Sequence, residues 1–209
     1  MSNPDLKCRK CRRAGEKLFL KGERCNTPKC AFAKRNTVPG VHGPTAMRKL
    51  TAYGKQLQEK QKAKRIYGLR EKQFYLYYVK ALKQVGNTAE IIFGMLENRL
   101  DNTVFRLGLA SSRTKARQIV NHGHILVNGK KIDIPSYQVA IGDVVSIRET
   151  SAKKKLFENV AENIAKNPIN APWLTIDAKT LQGKVTGTPK FGDVEMNIGW
   201  PVIIEFYSK

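Results

Sequence analysis

Apolar residues recur at helical spacing through the first half of the chain and change to strict alternation only near residue 125. From about Met47 to Arg65 a thin apolar stripe runs beneath Lys55, Lys60, Lys62, Lys64 and Arg65, which predicts a basic helix that Gly68 interrupts. A second stretch, Leu69 to Val85, sets Phe74, Tyr77, Tyr78, Ala81, Leu82 and Val85 on one face, and that stripe reads as core. Thr88 is positioned to cap a helix over Ala89–Asn98, and Asp101 a short one over Asn102–Leu107 that Gly108 ends. Ser111 or Ser112 caps a third, Arg113–His122, with Gly123 as its left-handed stop. Ile125 and Val127 then alternate with polar neighbours, Asn128-Gly129 predicts a tight hairpin, and Gly142-Asp143 turns the chain into a strand over Val144–Arg148.

Beyond this, Ala152–Lys166 reads as helix with Leu156, Val160 and Ile164 on one face, stopped at Asn167-Pro168. Residues 173–199 are short strands and turns, and the apolar tail Val202–Tyr207 is expected to dock back on the early helices. The fold class is therefore α+β, with residues 89–150 a compact set of helices on a small sheet.

Composition narrows the function. A chain of 209 residues makes one or two domains. Its longest apolar run, Ile91–Leu96, is far shorter than the ~18 residues a membrane helix needs. The first residues hold no apolar stretch of the secretory kind, so neither membrane insertion nor secretion is expected. Lys and Arg total 38 against 17 Asp and Glu, a net charge of +21. Residues 1–85 hold 22 of those basic residues and only five acidic ones, the footprint of a phosphate-binding surface.

Cys8, Cys11, Cys25 and Cys30 are spaced C-x2-C-x13-C-x4-C, two close pairs that can converge on one tetrahedral ion. A cytoplasmic, reducing setting disfavours disulfides there. The expected cofactor is one structural zinc ion, with an iron–sulfur cluster as the alternative that spacing does not separate. Arg9, Lys10, Arg12 and Arg13 around the first pair make it a basic knuckle facing phosphate.

The sharpest motif runs from Ser111 through Arg113, Lys115, Arg117, Asn121 and His122 into the Asn128-Gly129-Lys130-Lys131 turn. Arg113 and Arg117 lie one helical turn apart, while Ala116, Ile119 and Val120 take the core side. The product is an L-shaped cationic ridge suited to the backbone of folded RNA. An enzyme is not expected: His42, His122 and His124 are the only histidines, Gly129-Lys130 lacks the rest of a phosphate-binding loop, and no carboxylate pair stands in an apolar setting. No small-molecule substrate is implied. A DNA-binding finger is disfavoured because no Cys-Cys-His-His unit or recognition helix follows the cysteines. A general structured-RNA chaperone shares the same charge footprint and remains the alternative, as does an RNA-modification factor using the same module.

The segment Leu96-Glu97-Asn98-Arg99-Leu100-Asp101-Asn102-Thr103-Val104-Phe105-Arg106-Leu107-Gly108, followed by this helix and hairpin, resembles the family of bacterial small-subunit ribosomal proteins numbered four. The resemblance extends over the cysteine cluster, the Pro39-Gly40-Val41-His42-Gly43 turn, the basic helices and the Glu205-Phe206-Tyr207-Ser208-Lys209 ending. It implies a mostly helical domain, 46–88 completed by 175–209, carrying an inserted RNA-binding domain at 89–174 with its core motif at 97–150. Residues 1–45 become a cysteine-rich, metal-binding extension. It further implies a ribosome-bound protein that binds a multi-helix junction in the five-prime domain of small-subunit ribosomal RNA and nucleates the subunit body. Neighbouring ribosomal proteins at the messenger entry region and an influence on decoding accuracy follow from the same resemblance. Beside the ridge and knuckle residues, the candidate RNA contacts are then His42, Arg48, Lys49, Lys55, Lys62, Arg65 and Arg70.

Overall fold

Side-chain oxygens cap the starts of three of the helices. Thr51 Oγ1 accepts the Gly54 N–H at 3.1 Å, Asn87 Oδ1 that of Ala89 at 3.0 Å, and Ser112 Oγ that of Lys115 at 3.3 Å. In the computed structural model the described residues are all but 1–3, 44, 46–49, 155, 159, 161, 163, 165–170, 178–179, 195–196 and 209. They fall into two compact units, Met1–Lys83 with Asn197–Lys209, and Gln84–Met196.

The first unit contains α1 (Pro4–Ala14), a 3-10 turn (Gly22–Asn26), α2 (Ala31–Lys34), α3 (Ala52–Ile66), α4 (Glu71–Leu82) and the returning α9 (Trp200–Ser208). The expected basic helix starts at Ala52, and the part of that prediction covering residues 46–49 lies outside the described residues. Gly68, at φ +64°, makes the break before α4. As the tail's apolarity predicts, α9 docks on α3 and α4. Phe206 meets Tyr53 with ring centroids 5.5 Å apart, Trp200 meets Tyr67 at 6.4 Å, and Tyr207 stacks on Tyr78 at 5.0 Å. Pro201 sits in the first turn of α9, where its missing N–H has no intrahelical acceptor to lose. Of the predicted core stripe on α4, Phe74, Tyr78 and Ala81 are buried while Leu82 is exposed.

Carboxylates fasten these helices. Glu59 Oε2 accepts the Gly199 N–H at 3.0 Å, and Lys62 Nζ lies 2.7 Å from Glu16. Glu71 takes Lys60 at 2.7 Å, Lys64 at 2.9 Å and the Tyr207 hydroxyl at 2.8 Å. Burial by itself would raise the Glu71 carboxyl, but those three hydrogen bonds and the Lys60 charge outweigh it and hold its pKa at about 2.

The second unit is built from α5 (Thr88–Glu97), α6 (Leu100–Arg106), α7 (Arg113–Asn121), β1 (Ile125–Val127), β2 (Lys130–Lys131), β3 (Val144–Ile147), α8 (Glu149–Ala152), β4 (Leu174–Asp177) and β5 (Gln182–Val185). The strands form one antiparallel sheet ordered β2-β1-β3-β5-β4, with Val127 opposite Val145 and Val145 opposite Gly183. One core joins α6, α7 and the sheet through Leu100, Val104, Leu107, Ile119, Val120, Ile125 and Val145. Gly183 lies against the buried Leu107 side chain, which a Cβ there would strike. The hairpin is as predicted: Asn128 and Gly129 have φ +50° and +78°, the two left-handed residues of a tight turn.

Three expectations change. Asn87, not Thr88, caps α5. Asp101 does not cap α6 but lies inside it, because the Tyr137 and Pro135 carbonyls accept the N–H groups of Leu100 (2.8 Å) and Asp101 (3.2 Å) and leave its carboxylate for other partners. The predicted return to the helical domain at 175 moves to Asn197, since β5 pairs with β3 and β4 with β5, drawing that stretch into the second unit. The helix predicted over Ala152–Lys166 is not continuous: Lys153, Lys154 and residues 156–158 form turns and bends, residues 155, 159, 161, 163 and 165–166 lie outside the described residues, and Phe157, Val160 and Ile164 join the core.

Because Glu71 falls from an ordinary value near 4.5 to about 2, the stability it contributes is complete above pH 4.5 and lost as pH falls toward 2. With the Glu71 side chain 46% exposed, solvent screens part of that contribution. Tyr207→Phe removes one donor, so the loss of α9 in acid should begin at higher pH than in the unsubstituted protein. Tyr fluorescence followed through an acid titration reads this, and coincident curves would remove Glu71–Tyr207 from the account.

Candidate nucleic-acid interface

The ridge forms where α6 packs against α7, and its charges are organised by two buried carboxylates. Asp101, 5% exposed, receives the Arg99 guanidinium at 3.0 and 2.9 Å and Arg117 Nε and Nη2 at 2.9 and 2.7 Å. Glu97, 0% exposed, binds Arg106 through both oxygens at 2.8 and 3.0 Å and accepts Asn102 Nδ2 at 2.8 Å. Asn102 Oδ1 then accepts Arg113 Nε at 2.8 Å, and the Arg113 guanidinium lies 4.5 Å from the centre of the Phe105 ring. Arg113 and Arg117 thus share a face of α7 as the spacing predicts, but they are half-buried and tied to α6. Sequence reasoning missed Arg99, Arg106, Glu97 and Asp101. The signal for them was a set of alternating charges inside the apolar Leu96–Leu107 segment.

Around this base the other ridge residues differ in freedom. Lys130, Lys131, Asn121 and His122 are exposed, and Lys115 is half-buried. Asn128 is committed to the fold: its amide donates to Asp143 at 2.7 Å and its oxygen accepts the Val144 N–H at 2.9 Å, which locks β1 to the turn before β3. The Lys131 stem lies over Gly123, whose φ of +68° and lack of Cβ admit it. His124 Nδ1 is 2.9 Å from Ser151 Oγ. Burial, then the charges of Lys154, His122 and Arg148, push the His124 pKa down, which favours its neutral form.

In the first unit Arg9, Lys10, Arg13, His42, Lys55 and Arg70 are exposed. Arg12 donates to the Thr37 and Val38 carbonyls at 2.8 and 3.4 Å, securing that loop to α1. Arg65 is half-buried, and burial followed by the Arg13 charge lowers its pKa. Lys62 corrects the sequence prediction: it is 5% exposed and held by Glu16 and Glu59, so its charge is neutralised inside the unit and is not presented to a ligand. Arg48 and Lys49 lie outside the described residues.

The four cysteines are free thiols, with Cys11, Cys25 and Cys30 buried and Cys8 half-buried. Cys25 Sγ accepts the Lys21 N–H at 3.4 Å. The Ala33 and Phe32 N–H groups bond to Cys30 and lower its pKa, the first of them the larger influence. Burial raises Cys11, against a hydrogen bond from the Leu18 N–H, and the other three cysteines press it the same way as burial. Main-chain donors at three sulfurs suit thiolate ligands in kind. Among the described residues no group of three or more His, Cys, Asp or Glu side chains is placed to hold a metal ion.

Residues 3–97 match the family model for the ribosomal protein S4/S9 N-terminal domain, and residues 98–145 that for the S4 domain. The chain is 54% identical to the small ribosomal subunit protein uS4A of Alkaliphilus metalliredigens, over 98% of each chain. The uS4 proteins of Caldicellulosiruptor saccharolyticus and Acetivibrio thermocellus are 52% and 50% identical, each over 97% of this chain and 96% of the relative. The chain belongs to the uS4 family of small ribosomal subunit proteins. The boundary between the two family models falls between Glu97 and Asn98, at the start of the buried charge network, whereas the compact unit extends to Gln84 and Met196. Among the described residues no helix is long and apolar enough to cross a membrane.

Removing Arg106 would take the bidentate counter-charge from Glu97 at the heart of this junction. Arg106→Ala should therefore destabilise the Gln84–Met196 unit by about 3–5 kcal/mol, the range for breaking a buried ion pair on one side. Urea unfolding measures it, and a loss under 1 kcal/mol would show that the pair is not structurally important.

Proposed function

We propose that this protein is a structural constituent of the small ribosomal subunit that binds ribosomal RNA, working in the cytoplasm as part of the ribosome. The observation that supports it best is the match of both family models and of uS4 relatives over nearly the whole chain, on a unit whose α7 and hairpin carry Lys115, Lys130 and Lys131 on a rigid base. A ribosomal protein of this kind is a scaffold and not an enzyme. Its cations displace the counterions that hold neighbouring RNA helices apart, and the RNA packs around it.

The finer reading is a primary binder of a multi-helix junction in the five-prime domain, with neighbouring ribosomal proteins near the messenger entry and an effect on decoding accuracy. It rests on family resemblance together with the exposed cations of both units, Arg9, Lys10, Arg13, Lys55 and Arg70 in the first and the ridge in the second. Binding to a five-prime-domain transcript should fall steeply with salt and exceed binding to an unrelated folded RNA of equal length. Lys130→Ala and Lys131→Ala should each flatten the salt slope by about one unit. Equal affinity for the two RNAs would point instead to a general RNA chaperone.

Cys8, Cys11, Cys25 and Cys30 are proposed to hold one structural zinc ion, an iron–sulfur cluster being the second reading. Their spacing and the N–H groups aimed at three of the sulfurs support this. When bound, the ion would cross-link α1, the 3-10 turn and the start of α2. Cys25→Ser should release the metal and loosen residues 1–45 while Gln84–Met196 stays folded. Elemental analysis of the purified protein checks the site, and protein free of both zinc and iron would refute it.

A further inference from the structure

We propose that Asp101 is a positioning residue for RNA binding, a buried carboxylate that sets the direction of the Arg117 guanidinium on the face of α7. The inference rests on the reading of α7 as an RNA-facing element. Three observations lead to it. Asp101 has no capping duty, because the Tyr137 and Pro135 carbonyls meet the first N–H groups of α6. Its two arginines differ in exposure: the Arg99 side chain is 3% exposed and that of Arg117 30%, so one anchors the carboxylate from within while the other reaches solvent. One carboxylate between two guanidinium groups also leaves a net positive charge on the cluster, so fixing Arg117 does not cancel its attraction for an anion.

The same logic is repeated beside it. Glu97 neutralises Arg106 and takes Asn102 Nδ2, which leaves Asn102 Oδ1 to accept from Arg113 Nε. Each α7 arginine is thus aimed by a residue of α6 before any ligand arrives. A long side chain already held in one direction has less rotamer freedom to lose when it binds.

Charge alone makes the opposite prediction. Asp101→Asn adds one positive charge to a protein of net charge +21, and long-range attraction would then tighten RNA binding. Positioning predicts that the variant binds more weakly, on the order of threefold to tenfold, and that this loss disappears in an Arg117→Ala background. The salt slope of Asp101→Asn should stay at the wild-type value while that of Arg117→Ala flattens by about one unit.

The experiment is a double-mutant cycle of the full-length protein on a five-prime-domain ribosomal RNA transcript, by fluorescence anisotropy over a potassium chloride series. Circular dichroism at the binding temperature establishes that each variant is folded. Binding by Asp101→Asn as tight as wild type or tighter, or losses that simply add, would overturn the proposal. If Arg117→Ala changes neither affinity nor slope, the reading of α7 falls and the proposal with it. If Arg117→Ala weakens binding and Asp101→Asn does not, the positioning role alone falls. Should Asp101→Asn not fold beside the buried Arg99, Arg117→Lys takes its place, since it keeps the charge but loses the planar fork. Positioning then predicts weaker binding at unchanged slope, and wild-type affinity would overturn it.

Discussion

Self-repulsion among 38 basic side chains, opposed by only 17 acidic ones, is the condition under which this fold must close. Five of its scarce carboxylates stand where helices meet. Glu16 and Glu59 join α1, α3 and the returning segment before α9, partly through Lys62. Glu71 draws together α3, α4 and α9 through Lys60, Lys64 and Tyr207. In the second unit Asp101 joins α6 to α7, Glu97 joins the end of α5 to α6, and Asp143 joins the hairpin turn to the start of β3. Apolar burial gives each unit its core, but these anions allow cationic helices to pack side by side.

That placement has a functional consequence. Carboxylates kept inside the packing junctions neutralise cations that also lie inside, such as Lys62 and Arg99, and leave the exposed cations uncompensated nearby. An RNA backbone then meets positive charge on a rigid base. The arrangement suits recognition of RNA shape, because phosphate positions are set by how helices meet and not by base identity.

The route of the chain matters as well. α9 closes the first unit with residues that are last in sequence, through aromatic contacts to Tyr53, Tyr67, Phe74 and Tyr78. The stretch from Gln84 to Met196 forms its sheet and core from its own residues. β4 and β5 extend that sheet beyond the helix-and-hairpin motif, and Gly183 lets β5 lie directly against Leu107.

Much of this was legible one element at a time. Helical spacing marked α3 and α4, capping and stop residues marked α5 to α7 (Ser111 or Ser112 and Gly123 for α7), Asn128-Gly129 marked the hairpin, and the apolar tail marked a docked segment, because each of these signals acts over a few neighbouring residues. The charge excess and the family motifs carried the functional reading for the same reason. Partners far apart in sequence were not legible. Nothing local says that Lys62 turns inward to Glu16, that Asn128 is engaged by Asp143, or that Pro135 and Tyr137 free Asp101 to hold Arg117. A lysine or arginine in a sequence is only a cation. Whether it faces a phosphate or a buried carboxylate depends on which side chains packing brings within about 3 Å, where well-aligned, fully hydrogen-bonded pairs offset the hydration they lose.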